Sequence, residues 1–175
     1  MTRSIGFVGG GQMAEALIKG LVQTQTLTTE QIRVAEPVAQ RRQYLTSTYD
    51  LKTVPSLDGF MDEADVVVLA VKPQVMSSVL TLLKDYHEAQ LIITIAAGLP
   101  ITFYHRYLGD QCSIIRVMPN MGALIQEGAS ALCRNQYVTD DDLSFAESLL
   151  SAVGSAVIVE EKLMDAVTGL SGSGP

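Results

Sequence analysis

The 175-residue sequence is short of cysteine, of proline and of long apolar runs, and each shortage removes a class of protein. Its two cysteines, Cys112 and Cys133, are too few for a disulfide framework and cannot make a metal site alone. They read as reduced thiols in the core of a cytoplasmic protein. Six prolines and fourteen glycines are too few for a low-complexity or collagen-like chain. No window approaches the roughly 18 unbroken apolar residues of a membrane span, and the longest clean run, Val66 to Val71, suits a buried strand. Met1-Thr2-Arg3-Ser4 leads directly into a short apolar run, so no secretory signal is expected. Basic residues are outnumbered 12 to 19, giving a net charge of −7. An acidic surface repels phosphate backbones, so no nucleic-acid partner is expected either. What is present, 47% hydrophobic and 18% charged residues with a mean hydropathy of +0.25, is the composition of a folded chain with a real core. The length suits one domain, or one domain and the start of another.

Strand and helix patterns alternate along the chain. Strands are expected over residues 4–9, 31–36, 51–54, 65–71, 91–96, 112–118, 128–133 and 155–159, and helices over 12–24, 38–49, 57–63, 73–83, 102–108 and 140–152. Pro37 suits a helix N-terminus, and Thr139 followed by three aspartates makes a capped, charge-complemented helix start. Residues 65–71 are apolar throughout, as in a parallel strand covered on both faces. Repeated βα units predict an α/β fold of the Rossmann type, a doubly wound, mostly parallel sheet with helices on both faces, in which some late strands run antiparallel. Residues 162–170 are helix-like, with Leu163, Met164, Val167 and Leu170 spaced for one exposed apolar face, and Ser171-Gly172-Ser173-Gly174-Pro175 follows. The pattern divides into a domain over 1–160 and, over 161–175, the start of a second one.

The chemistry starts at the first turn. Gly9-Gly10-Gly11-Gln12-Met13-Ala14 fits G-x-G-x-x-G/A after a strand that contains Val8 and at the start of a helix. Gly9 permits the tight turn, Gly11 lets a pyrophosphate approach the backbone, and Ala14 allows close packing of helix on strand. The helix N-terminus offers free N–H groups to the phosphates, which matters in an acidic protein. The second strand ends at Glu36, 22 residues after Ala14, near the position of an acid that accepts from the ribose hydroxyls. Such an acid favours NAD, since a carboxylate repels a 2′-phosphate. Arg33, Arg41 and Arg42 lie close enough in sequence to offset it, while Arg41 and Arg42 also read as an exposed helix face.

Three further turns fall at the carboxyl ends of strands, where ligands of such sheets lie. Ala70-Val71-Lys72-Pro73 ends the fourth strand, and Lys72 reads equally as a surface lysine and as a partner for phosphate or carboxylate. Ala96-Ala97-Gly98 offers small side chains beside which a flat ring can lie. Arg116-Val117-Met118-Pro119-Asn120 ends the sixth strand: Asn120 is a candidate to orient a ring or a water, and Arg116 in mid-strand needs a charged partner if buried. His87, His105, Tyr104 and Tyr107 read as surface or packing residues. No acid–base or metal-ligand constellation is visible, which fits hydride transfer, where the cofactor carries the reactive group.

With these motifs in order along the whole chain, and with Ala166-Val167-Thr168-Gly169-Leu170-Ser171-Gly172-Ser173-Gly174-Pro175 at its end, the sequence closely resembles the pyrroline-5-carboxylate reductase family. The resemblance implies reduction of 1-pyrroline-5-carboxylate to L-proline with NADPH or NADH, the last step of proline synthesis. It also implies that the final motif opens a helical C-terminal domain. In the family that domain carries most of the substrate site and forms a homo-oligomer, a dimer or a ring of dimers. Catalytic residues are therefore expected beyond Pro175. Two positions depart from the family pattern. Glu36 stands where small polar or basic residues receive the 2′-phosphate, and Gly122 replaces a proline, which is expected to loosen its loop. Two other readings remain: a non-catalytic NAD(P)-sensing module, and a hydroxyacid or 6-phosphogluconate-type dehydrogenase with the same first half.

Overall fold

In the computed structural model, which describes residues 3–58, 62, 64–83 and 90–172, the alternation of patterns becomes one sheet with helices on both faces. The elements are β1 (Ile5–Val8), α1 (Gln12–Gln23), β2 (Ile32–Ala35), α2 (Ala39–Tyr49), β3 (Lys52–Val54), β4 (Val66–Leu69), α3 (Met76–Leu83), β5 (Leu91–Thr94), α4 (Ile101–Leu108), β6 (Ile114–Met118), β7 (Gly128–Arg134), α5 (Asp140–Ser151), β8 (Gly154–Ile158) and a short α6 (Met164–Val167). The eight strands lie in the order β3-β2-β1-β4-β5-β6-β7-β8, all pairs parallel except β6 with β7. The fold is of the doubly wound Rossmann type. The chain leaves β1 toward β2 and β3, then crosses to β4 on the other side, so the topological switch point lies between β1 and β4.

Alternation along the strands explains how both faces are filled. Ile5, Phe7, Val66, Val68, Ile93 and Ile115 point to one face, where α1, α2 and α5 supply Leu17, Ile18, Leu21, Leu45, Leu149 and Leu150. Val8, Val67, Leu69, Ile92 and Ile114 point to the other, against Met76, Leu80, Tyr104 and Leu108 of α3 and α4. A side chain of this kind stabilises by about 1.5–3 kcal/mol when fully buried, so a strand apolar on both faces is fixed in register. At the start of α5 the expected cap is present: Thr139 accepts from Asp142 N, and the Asp142 carboxylate reaches back to Thr139 N.

Pro37 precedes α2 as expected, and the helix starts at Ala39, one residue later than the pattern indicates, with the extended Val38 as its N-cap. The segment after 160 is helical as expected but changes pitch along its length, from a 3-10 turn over Glu161–Leu163 through α6 to a π-helical turn over Thr168–Gly172. Its proposed apolar face divides: Met164 is buried against the second core, while Leu163 and Leu170 are 45% and 81% exposed. The helix expected over 57–63 falls mostly outside the described residues, as do His87 and Ser173-Gly174-Pro175. No helix among the described residues is long and apolar enough to cross a membrane.

Cys112 and Cys133 are both buried and unpaired. Burial pushes the Cys112 thiol up to about 12 and the Cys133 thiol up to about 11, so neither supplies thiolate near neutrality. Thiol titration of the folded chain at pH 8 should therefore find no rapidly reacting group, and two after denaturation. One equivalent reacting within seconds in the native protein would contradict this burial.

Candidate functional site

The site assembles at the carboxyl ends of β1, β4, β5 and β6. Gly9 leaves β1 with φ of +100°, a conformation that L side chains rarely adopt. Its N–H donates to the Ala35 carbonyl at 2.8 Å, and a Cβ there would stand 2.8 Å from the Ala70 carbonyl oxygen. The first glycine thus lets the turns after β1 and β4 meet. Gly11 is different. It is the N-cap of α1, exposed, with no side chain closing the helix end, and a Cβ there would meet nothing within 4 Å. Open space beside an uncapped helix N-terminus is a place for an anion.

Of the residues expected to line this edge, Gly11, Gln12, Lys72 and Gly98 are exposed, and Met13, Ala70, Val71, Pro73, Ala97 and Asn120 are half-buried. Gly98, with φ of +74°, turns the chain away after β5. Val8, Gly9, Gly10 and Ala96 are buried, so each can offer only backbone.

Asn120 is the clearest revision. Its Oδ1 accepts from Gly122 N and Ala129 N, both at 3.1 Å, so the side chain is committed to folding its own loop. Gly122 does not loosen that loop. Its N–H is held by Asn120, its carbonyl accepts from Glu127 N at 3.0 Å, and a Cβ would come within 2.5 Å of the Glu127 carbonyl oxygen. A proline would lack the N–H, so glycine goes with a different and tightly bonded loop.

Glu36 is 9% exposed, and its two oxygens accept from Gly10 N and Val38 N, each at 2.9 Å. Arg41, whose position in sequence fits an exposed helix face, folds back instead: Nε donates to the Gly10 carbonyl at 2.5 Å, and Nη2 to Gly11 O at 3.3 Å and Glu15 at 2.5 Å. Tyr44 and Tyr49 also donate to Glu15, each at 2.8 Å. Burial raises the Glu15 carboxyl, but the hydrogen bonds from Arg41, Tyr49 and Tyr44 and the Arg41 charge outweigh it and hold the group below its ordinary value. Glu15, Tyr44 and Tyr49 carried no signal beyond their places in the first turn of α1 and along α2. Arg42 donates to the Glu36 and Pro37 carbonyls, both at 2.8 Å.

Arg116 has the partner its burial demands. It is 4% exposed, with Nη1 at 3.5 Å from Glu161 and Nη2 at 3.3 Å from Asp165. Glu161 also accepts from Ile101 N at 2.6 Å, so one carboxylate joins β6 to the first residue of α4. Beside them Tyr104 shares a 2.6 Å hydrogen bond with Thr94, and burial pushes its phenol up to about 12. The group is structural: it fastens the segment after β8 to the sheet just below the candidate site.

Residues 4–98 match the model of the family described as NADP oxidoreductase coenzyme F420-dependent. The pyrroline-5-carboxylate reductase of Synechocystis sp. is 42% identical over 175 residues, which are 100% of this chain and 65% of that protein. A pyrroline-5-carboxylate reductase structure from Coxiella burnetii superposes with a TM-score of 0.96 at 32% identity, over 100% of this chain and 66% of that one. The Plasmodium falciparum pyrroline carboxylate reductase, solved with NADP bound, gives 0.89 at 31% identity over 99% and 63%. The chain thus spans just under two thirds of the length of these relatives.

Proposed function

The chain belongs to the family described as NADP oxidoreductase coenzyme F420-dependent and, within it, to the pyrroline-5-carboxylate reductases, and on that premise we propose that it binds NADPH or NADH and serves the reduction of 1-pyrroline-5-carboxylate to L-proline. The observation that carries this reading is the glycine turn. Gly11 leaves open space beside an uncapped helix start, as the close approach of a pyrophosphate requires. The residues present therefore fit a dinucleotide.

In this reading the backbone from Val8 to Met13 holds the pyrophosphate, with the N-terminal charge of α1 behind it. Ala70, Val71, Lys72 and Pro73 form the adjoining wall, with Lys72 free to face phosphate. Ala96, Ala97 and Gly98 leave room for the nicotinamide, and Asn120 keeps the loop beneath it in shape. A nicotinamide cofactor held there would supply a hydride for the carbon of the C=N bond, and the nitrogen would need a proton from the protein or solvent. The protein's task is to hold donor and acceptor within about 3–3.5 Å and to exclude water. We assign residues 1–160 to cofactor binding and 161–175 to the opening of a helical domain. That domain would carry the proton donor, the contacts to the substrate carboxylate and the homo-oligomer interface. A cytoplasmic setting suits the two buried, unpaired thiols.

The test uses the full product of the gene. With NADPH and 1-pyrroline-5-carboxylate it should oxidise one NADPH for each L-proline formed. A protein that binds NADPH yet leaves the pyrroline unchanged would overturn the substrate reading and leave the cofactor reading standing.

A further inference from the structure

We infer that Glu36 and Arg41 are positioning residues that clamp the glycine turn from both sides, and that Glu36 does not read the ribose. This rests on the dinucleotide reading above. Gly10 is held on both sides of its Cα: its N–H by the Glu36 carboxylate at 2.9 Å, its carbonyl by Arg41 Nε at 2.5 Å. Both residues come from the segment that follows β2, and both are anchored again there. Glu36 takes the Val38 N–H, and Arg41 is paired with Glu15 of α1 and lies 5.1 Å over the Tyr44 ring. A loop of three glycines has a large conformational entropy to lose on binding. Two charge-assisted bonds, one to each of the peptide units that flank Gly10, remove much of it beforehand, leaving the Gly11 turn shaped while its own surface stays open.

The same geometry bears on cofactor choice. A ribose reader must present its carboxylate to the ligand, whereas Glu36 is 9% exposed with both oxygens turned to backbone N–H groups. Beside it Arg42 donates to the Glu36 backbone carbonyl at 2.8 Å, while Arg41 is paired with Glu15. Among the described residues no carboxylate pairs with Arg42. The acid at the end of β2 therefore does not bar a 2′-phosphorylated dinucleotide.

Two readouts test this. Amide exchange followed by NMR in the unliganded chain should show the Gly10 N–H protected at least tenfold over Gly11, and that protection should vanish in Glu36→Gln while the amides of β1 keep theirs. Fluorescence titration should then show Glu36→Gln, and separately Arg41→Lys, weakening NADPH and NADH by the same factor of about five or more, with the ratio of the two dissociation constants held within twofold. A Glu36→Gln chain whose preference moves fivefold or more toward NADPH, or whose Gly10 amide exchanges as in the wild type, would overturn the clamp. If the wild-type chain binds neither dinucleotide, the functional reading fails, and the exchange data still decide whether the clamp exists.

Discussion

Gly11→Val should bind NADPH at least tenfold more weakly than the wild-type chain, a loss of about 1.4 kcal/mol or more, while remaining folded. The two halves of this expectation have separate causes. A Cβ at Gly11 meets no protein atom within 4 Å, and the residue sits at φ −68° and ψ −176°, where valine is comfortable. The variant therefore has no clash to absorb. Exchanging glycine for valine at an N-cap costs about 1 kcal/mol, a fall of roughly 2–4 °C in Tm for a chain of this size. The added methyls occupy the space that the glycine keeps open for phosphate. A folded Gly11→Val chain that titrates NADPH as the wild type does would place the pyrophosphate elsewhere.

The largest expected loss of stability comes from the other end of the chain. Replacing Glu161 and Asp165 together by alanine leaves the Arg116 guanidinium, 5% exposed along its side chain, with neither of its ion-pair partners. Stranding one member of a buried pair costs about 3 kcal/mol or more, which corresponds to a fall in Tm of roughly 6–12 °C. The Ile101 N–H loses its acceptor in the same step. Adding Arg116→Met should recover most of the loss, because an apolar side chain of similar length needs no partner. Thermal unfolding of the two variants checks both statements. A double variant within about 2 °C of the wild type would mean that Arg116 is not fastened in this way.

Much of the architecture was legible because the strands carry their two faces in their own sequence. Val66-Val67-Val68-Leu69 is apolar at every position, and in the structure alternate residues fill opposite cores. The glycine fingerprint was legible for a similar reason, since turn, close approach and packing fall on three fixed positions of one short segment. The same locality served Thr139, whose cap partner lies three residues away. What could not be read depends on folding at long range. Arg41 and Arg42 are neighbours in sequence but about 100° apart around a helix, so one turns inward to Gly10 and the other back to the strand end. Glu36 stands where a ribose reader stands, and only the path of the chain shows its carboxylate turned to the Gly10 amide. The partners of Arg116 include one 49 positions away, which no periodicity marks. Asn120 is a different case: asparagine before a short helical turn is an N-cap signal, and it was outweighed by the residue's place at a strand end.

Titrating NADPH into the chain while recording amide chemical shifts tests most directly whether the open edge at Gly11 receives a dinucleotide. The largest changes should fall on Gly9 to Ala14, followed by Ala70 to Lys72 and Ala96 to Gly98, with the far edge strand β8 unmoved. Saturable changes centred on another face, or no change at millimolar NADPH, would contradict it.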